Sequence, residues 1–355
     1  MKRLSVWLGA MCAVCLALAD GAHAQGQVTP QDEAMNTLRA GVPREQDRSI
    51  VDDWIALQLS KLRDALGNPI LIPGARKDFY ASFNTQYNHE GNTPAFKQMF
   101  AQQVGAMFAK EYAKGQQLEP IVAHTMARQL LRMQDLDTRE ALYAGLTSTD
   151  QVVQYLSAQA LVKLQAKIAA DPQLTAQVLQ KLGAAAKAAG NGMVAWEFYE
   201  AAAIPGREAD VVPVILAIMD ARLAMMRGGA TTLDRGEIPA LRYLAQAQKD
   251  GKLDQNLRTQ VVQRLAPLLR IHTERLGMEG ITQDERVAVE ETIDTTEDLL
   301  KQITRPDKAP DVAGKMADGS NAAINMQIEL IQWIGGPDTA GILNKAPWNV
   351  PAGAP

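Results

Sequence analysis

Histidine is the side chain used most often for proton transfer and for binding transition metals, and this sequence has few histidines. Three of them, His89, His124 and His272, lie beyond the first 24 residues. None belongs to a His-Glu-x-x-His motif or to another pair at metal-ligand spacing, so the sequence predicts no metal site. His124 falls inside a helical apolar pattern, where we expect a structural hydrogen bond. His89 lies beside Glu90 in a polar segment that we interpret as a turn.

Motifs for nucleophilic chemistry and for phosphate binding are also missing. The sequence has no Gly-x-Ser-x-Gly elbow and no Ser-x-x-Lys pair, and both cysteines, Cys12 and Cys15, lie in the first 24 residues. The nearest approach to a phosphate loop is Gly-Gly-Ala-Thr-Thr at 228–232. No lysine follows these glycines, which favours a turn between helices. We therefore assign no catalytic, cofactor-binding or metal-binding residues and expect no cofactor.

One acidic helix is a further candidate for binding. Over residues 282–302, apolar residues form a single stripe and acidic residues cover much of the remaining surface. This face could meet a basic partner or divalent cations, although like charges on a helix more often only keep it solvated. The acidic residues of this face are Glu290, Glu291, Asp294, Glu297 and Asp298.

The elements that would carry these residues are predicted to be helices throughout. Runs rich in Ala, Leu, Gln, Lys and Met favour helix, and few stretches concentrate β-branched residues at period two. Over residues 94–112, apolar residues recur at helical spacing. Such a stripe could line a groove for a hydrophobic ligand, but we interpret it as core. Further helices are predicted over 207–227, 237–249, 254–275, 282–302 and 319–334.

Two helical segments repeat one apolar spacing, thirty-one residues apart, which is typical of stacked helix pairs. Each segment combines larger apolar residues with a central pair at adjacent positions. The matched positions are Val122, Met126, Ala127, Leu130 and Met133 in the first segment and Val153, Ser157, Ala158, Leu161 and Leu164 in the second.

From Asp150 onward the second segment resembles the second helix of a HEAT-type repeat, in which small residues let that helix pack closely on its partner. Residues 138–146 would be the first helix of the same unit. The resemblance covers about residues 120–166, and Gln154 departs from it where the family usually has arginine. It implies an all-α fold, an irregular right-handed α-solenoid of HEAT-like helix pairs, and such folds usually offer a binding surface.

The first 24 residues have the features of a secretory signal peptide. A Lys-Arg pair at 2–3 precedes an apolar run over 4–19, and Ala-His-Ala at 22–24 supplies the small-x-small pattern of a cleavage site. We therefore predict cleavage after Ala24 and a periplasmic or secreted mature protein. A retained anchor is the alternative, but the run is shorter than the roughly 20 residues that span a bilayer.

The remaining chain divides into segments by composition. Residues 25–45 are predicted to be a flexible leader, 46–303 a helical HEAT-like repeat domain, and 304–318 a linker with Pro and Gly. C-terminal helices are expected over 319–344 and a flexible tail over 345–355. The net charge of −4 argues against nucleic acid or an anionic membrane surface as the main partner. No membrane span is predicted once the signal is cleaved.

Two hypotheses of different class follow. The favoured one is an exported, non-catalytic α-helical repeat protein that acts as a scaffold or binding module for a protein or polymer partner. The alternative is a cell-envelope hydrolase or lyase whose site is assembled from dispersed carboxylates and His89. Whether the chain is an enzyme stays open, although the lack of motifs makes it less favoured. A cleft that holds His89 beside acidic residues would favour the enzyme.

Overall fold

The computed structural model describes residues 30–188, 190–229 and 233–351, and within these ranges the chain is all-α without a β-strand, as predicted. The predicted signal peptide lies outside these ranges. In the described parts of the chain, no helix has both the length and the apolar character needed to cross a bilayer. The α-helices are α1 (Pro30–Ala40), α2 (Arg48–Asp64), α3 (Ile72–Asn88), α4 (Pro94–Tyr112), α5 (Pro120–Met133), α6 (Arg139–Leu146), α7 (Gln151–Ala169), α8 (Pro172–Ala185), α9 (Gly192–Ala202), α10 (Glu208–Arg227), α11 (Ile238–Lys249), α12 (Gln255–Leu276), α13 (Gln283–Thr304), α14 (Val312–Lys315) and α15 (Ala322–Ile334).

Polar side chains at the starts of several helices explain where those helices begin. Thr93 Oγ1 accepts a hydrogen bond from Phe96 N at 3.2 Å, and Thr282 Oγ1 accepts one from Glu285 N at 3.2 Å. Asp171 Oδ1 accepts two such bonds at the start of α8, at 2.9 and 3.2 Å. These bonds satisfy backbone donors that the first turn of a helix leaves unpaired.

Small residues lie where α6 meets α7, the pair that resembles a HEAT unit. A Cβ added at Gly145 would collide with Ser157 Oγ, and both Ser157 and Ala158 are completely buried. The backbones can approach this closely because neither position carries a larger side chain. The close packing expected from the sequence is therefore present between these two helices.

Most helices pack on the helix two places further along the chain. The helices α2, α4, α6, α8, α10 and α12 contact one another in that order. The helices α3, α5, α7, α9, α11 and α13 do the same. The chain therefore forms two neighbouring rows, and one apolar cluster that runs from Met35 to Val350 joins them.

The apolar stripe of α4 is core, as predicted, because it packs against aromatic rings from α2 and α3. Trp54 meets Phe83 edge-on, with ring centroids 5.0 Å apart, and Phe83 lies 4.5 Å from Phe79. Edge-on and offset contacts of this kind are the favoured arrangements of aromatic pairs. This aromatic cluster consists of Trp54, Phe79, Phe83, Phe96, Phe100 and Phe108.

The described part of the predicted leader, residues 25–45, is not flexible chain. It contains α1, in which Met35 is completely buried. Asp32 Oδ1 accepts a hydrogen bond from Trp54 Nε1 at 3.0 Å. Composition alone did not indicate this helix, because α1 buries few apolar residues and is held partly by a polar contact.

The predicted linker, residues 304–318, is also packed. Glu297 of α13 is 1% exposed, and its carboxylate accepts hydrogen bonds from Val312 N at 2.8 Å and Ala313 N at 2.9 Å. The same carboxylate accepts one from Trp333 Nε1 at 2.9 Å. A single side chain thus fixes both α14 and α15 against α13, although Glu297 was expected on a solvated face.

The predicted tail, residues 345–355, is ordered by contacts as far as residue 351. Trp348 and Val350 are buried, and Val350 N donates to Leu343 O at 2.8 Å. Asn344 Nδ2 donates to Val350 O at 2.8 Å. Composition had indicated a flexible tail, because proline, glycine and alanine dominate this segment. Two buried apolar side chains nevertheless hold the segment against the core.

Candidate functional site

The three histidines lie on different elements and have different environments. His89 is exposed, and its Nδ1 accepts a hydrogen bond from Gly91 N at 3.0 Å. His124 Nε2 lies 2.8 Å from Asp150 Oδ2, while the other oxygen of Asp150 caps α7. The structural hydrogen bond predicted for His124 is therefore confirmed. His272 is completely buried in α12, and burial lowers its pKa to about 4.

Arginines pair with two of the five acidic residues on the predicted acidic face of α13. Glu291 forms ion pairs with Arg235 at 2.7 Å and with Arg242 at 3.4 Å, and Glu290 pairs with Arg286 at 3.6 Å. Within the described ranges, no group of three or more His, Cys, Asp or Glu side chains is placed to hold a metal ion. With Glu297 buried, the exposed Asp294 and Asp298 are the members of this face without an ion pair among the described residues.

The glycine pair at 228–229 forms a turn directly after α10, as expected. Gly229 has a φ of +64°, a conformation that favours glycine. The threonines at 231–232 that completed the possible phosphate loop lie outside the described residues.

A cavity with a volume of about 870 Å³ lies between the C-terminal ends of α10 and α12. Four of its five charged lining residues already pair with one another, Arg275 with Glu285 and Arg270 with Glu274, each at 2.7 Å. A ligand there would have to compete with these pairs. The size of this cavity is therefore a weaker argument for binding than the chemistry of a smaller one.

That smaller cavity, the acidic aromatic pocket, has a volume of about 420 Å³. It lies between α7, the first turns of α9 and the segment that precedes α11. This volume is within the range of roughly 300–1,000 Å³ found for small-ligand sites. Its main lining side chains are Tyr155, Met193, Trp196, Glu197, Asp234 and Arg235.

A buried ionic network forms the base of the acidic aromatic pocket. Arg222 is completely buried, and its guanidinium donates to Glu237 Oε1 at 2.7 Å, Gly190 O at 2.9 Å and Asp234 Oδ1 at 3.1 Å. Burial disfavours its charge, but Glu237 and Asp234 together raise the pKa of Arg222. One arginine thus joins α10, the segment before α9 and the segment before α11.

Two glycines let these segments approach closely. A Cβ at Gly192 would collide with the carboxylate of Asp234. Gly236 N donates to Asp234 Oδ1 at 2.9 Å, and a Cβ at Gly236 would stand 3.0 Å from the Cα of Gly192. The Asp234 carboxylate is therefore held in place from Arg222 on one side and from backbone on the other.

Glu197 is the carboxylate of the pocket that lacks an ion pair among the described residues. It is half-buried and lies near the side chains of Tyr155, Gln159 and Lys163. Burial raises the pKa of Glu197, and the nearby Glu200 acts in the same direction. A half-buried carboxylate beside the rings of Tyr155 and Trp196 favours a cationic ligand, because the ring faces and the carboxylate attract positive charge together.

Sequence reasoning did not find this pocket. Arg222 gave a usable signal, since it lies within a largely apolar stretch of the helix predicted over 207–227, and a buried charge needs a partner. Glu197 and Trp196 carried no sequence signal for a binding site, because single acidic and aromatic residues on an amphipathic helix are common. The pocket combines residues from 155 to 236, and only the fold brings them together.

Comparison of the chain with protein-family models, curated proteins and solved structures finds no match.

Proposed function

We propose that this protein is an exported, non-catalytic binding module whose acidic aromatic pocket receives a cationic side chain of a partner protein. The observation that carries the proposal is the placement of Glu197, half-buried and without an ion pair among the described residues, in a cavity of about 420 Å³ that Tyr155 and Trp196 also line. Export rests on the predicted signal peptide with cleavage after Ala24.

The arrangement of the helices supports a binding role. Two rows in which each helix packs on the next but one are the arrangement expected of an irregular right-handed solenoid of HEAT-like pairs. The close contact of Gly145 with Ser157 agrees with such a pair. A solenoid exposes long faces of stacked helices, on which a partner can extend beyond a single pocket.

The charge of the pocket selects the occupant. Arg235 lines it but already pairs with Glu291, and Asp234 pairs with Arg222, so Glu197 supplies the charge that a ligand can neutralise. A guanidinium or ammonium group can lie over an aromatic face while it donates to this carboxylate. Arginine fits better than lysine, because its planar group stacks on Trp196 as well as pairing with Glu197.

A pair of short peptides tests the proposal. One carries a single arginine between glycines, and its twin carries citrulline, which keeps the shape but lacks the charge. We expect calorimetry to detect saturable binding of the arginine peptide only. Glu197→Gln or Trp196→Ala should weaken it by about tenfold, since a desolvated cation–aromatic or charged contact contributes about 1–2 kcal/mol.

The matched control is Glu200→Gln, which makes the same charge change one turn along α9 at a residue that does not line the pocket. Its affinity for the arginine peptide should stay close to that of the wild type. Equal binding of both peptides, or equal loss in Glu197→Gln and Glu200→Gln, would contradict the proposal. Binding should also weaken as pH falls, because burial raises the pKa of Glu197 and makes it easier to protonate.

A second candidate function is hydrolysis or lysis of a cell-envelope polymer at the same pocket. What favours it is that Glu197 and Asp234 share one cavity but have different surroundings, since paired carboxylates of this kind can divide acid and base roles. Turnover of polysaccharide substrates that is abolished in Glu197→Gln and retained in Glu200→Gln would favour this candidate. His89, which the sequence had offered as a participant, lies exposed in its own loop.

A further inference from the structure

We propose that a second, basic site binds a phosphate group carried by a small molecule or a lipid headgroup. The site is a groove of about 530 Å³ between α3 and α5, which we call the basic groove. It does not include any residue of the acidic aromatic pocket, and the proposal does not rest on the proposed function. Its polar lining residues are Arg76, Lys77, Tyr80, Asn84, Arg128 and Arg132.

The spacing of these residues explains how two helices form one groove. Arg76, Tyr80 and Asn84 follow one another at intervals of four along α3, and therefore share a face. Arg128 and Arg132 have the same interval on α5. Because α3 packs on α5, the two rows face a common space.

The groove concentrates positive charge in a chain whose net charge is −4. Its lining contains three arginines and one lysine but no acidic side chain. None of the four cations forms an ion pair with an acidic residue of the described ranges, although many other arginines of the chain do. Four unneutralised cations around one cavity repel each other, and an anion would relieve this repulsion.

Tyr80 holds two of the arginines in place. The guanidinium carbon of Arg132 lies 4.0 Å from the centroid of the Tyr80 ring. Arg76 Nη2 donates to the Tyr80 hydroxyl at 3.4 Å. A guanidinium stacked on a ring loses less freedom when it binds an anion, so the site is partly preorganised.

Arg76 supplies a donor that the protein does not use. Its Nε is buried and has no hydrogen-bond partner among the described residues. Such a donor costs free energy while it stays unpaired, and an anion in the groove would satisfy it if the Arg76 side chain turned towards the groove. Arginine forks bind phosphate through two parallel bonds, and three arginines with a lysine match a doubly charged phosphate monoester better than a single carboxylate.

Binding of three probes to the purified protein tests the site. The probes are inorganic phosphate, a sugar phosphate, and phosphatidylcholine vesicles with or without phosphatidic acid. We expect saturable binding of at least one phosphate monoester probe, and the stronger of the two organic probes identifies a soluble ester or a lipid headgroup as the source. The double variant Arg128→Gln/Arg132→Gln should lose about tenfold or more in affinity, because each charged hydrogen bond contributes about 1.5–3 kcal/mol.

The charge-matched control is Lys110→Gln/Lys249→Gln, which removes two exposed cations outside the groove. Arg132→Lys keeps the charge but removes the fork, and should also weaken binding. Because Lys77 is exposed, Lys77→Gln provides a milder variant that should weaken binding without affecting folding. The proposal is overturned if no probe binds, or if the groove variants and the control lose equal affinity.

Discussion

Between residues 54 and 108, six aromatic rings fill the space where three helices meet, whereas beyond residue 190 two buried glutamates fix loop segments against helices. Aromatic pairs prefer edge-on and offset contacts, but this preference contributes only about 0.5–1.5 kcal/mol per pair, so other apolar side chains can fill the same space. A buried carboxylate instead needs its donors at defined positions and leaves them unpaired when it is removed. The aromatic cluster should therefore tolerate substitution better than the surroundings of Glu237 and Glu297.

The largest expected effect is that of Arg222→Met. The substitution leaves Glu237, which is 1% exposed, without its ion-pair partner, and should destabilise the protein by about 3–5 kcal/mol in urea unfolding. The double variant Arg222→Met/Glu237→Leu replaces the pair by apolar groups. It should be more stable than Arg222→Met alone, because no buried charge is left unpaired. If the losses in unfolding free energy caused by Arg222→Met and Glu237→Leu simply add in the double variant, the two residues are not energetically coupled.

The buried His272 should make the second half of the molecule sensitive to acid. Its Nδ1 lies 2.9 Å from Leu268 O, to which it donates, and burial lowers its pKa from 6.5 to about 4, with Arg222 acting in the same direction. The unfolded chain therefore takes up a proton near pH 6.5, whereas the folded protein takes it up only near pH 4. The contribution of His272 to the free energy of unfolding is therefore largest above pH 6.5. It should fall by about 3 kcal/mol as the pH decreases to 4.

Urea unfolding between pH 7 and pH 4 measures this loss. The variant His272→Gln should lose less stability over the same interval, whereas His89→Gln, at an exposed residue, should behave like the wild type. Equal acid sensitivity in His272→Gln and the wild type would assign the effect to other groups. Asp234, which favours the charged form of His272, opposes part of the shift.

The parts of the fold that the sequence predicted are those governed by local patterns. The helices predicted over 254–275 and 282–302 match α12 and α13, and the core role of the α4 stripe follows from apolar spacing. Both kinds of signal reside within one helix. Such signals can therefore be recognised before the arrangement of the helices is known.

The parts that the sequence missed depend on contacts between distant residues. Glu297 looked like one more acid on a solvated face, because only the fold shows that Val312 and Trp333 donate to it. The segment over 304–318 looked like a linker for the same reason. Similarly, the acidic aromatic pocket requires Arg222 to bring two segments together, and no spacing along the chain encodes this.

An intermediate effect is expected for Glu297→Gln, which removes the charge but keeps the size. The amide group can accept at one oxygen only, so at least one of the donors Val312 N, Ala313 N and Trp333 Nε1 loses its partner, at a cost of about 2 kcal/mol. Hydrogen exchange should increase over residues 305–315. Asp298→Asn, an exposed change on the same helix, should alter stability by less than about 0.5 kcal/mol. Unchanged exchange in the segment would show that apolar packing alone holds it.

The smallest effect is expected for Phe83→Leu in the aromatic cluster. Phe83 is completely buried and touches Trp54, Phe79, Phe100 and Phe108, but its ring makes no hydrogen bond that a leucine would break. A similar apolar volume can repack there, so urea unfolding should show a loss of about 1 kcal/mol. Leu164→Met, a buried change of similar volume in α7, provides the reference. If Phe83→Leu costs more than Glu297→Gln, the aromatic rings are packed as specifically as the carboxylate is bonded, and directional bonding does not separate the two regions.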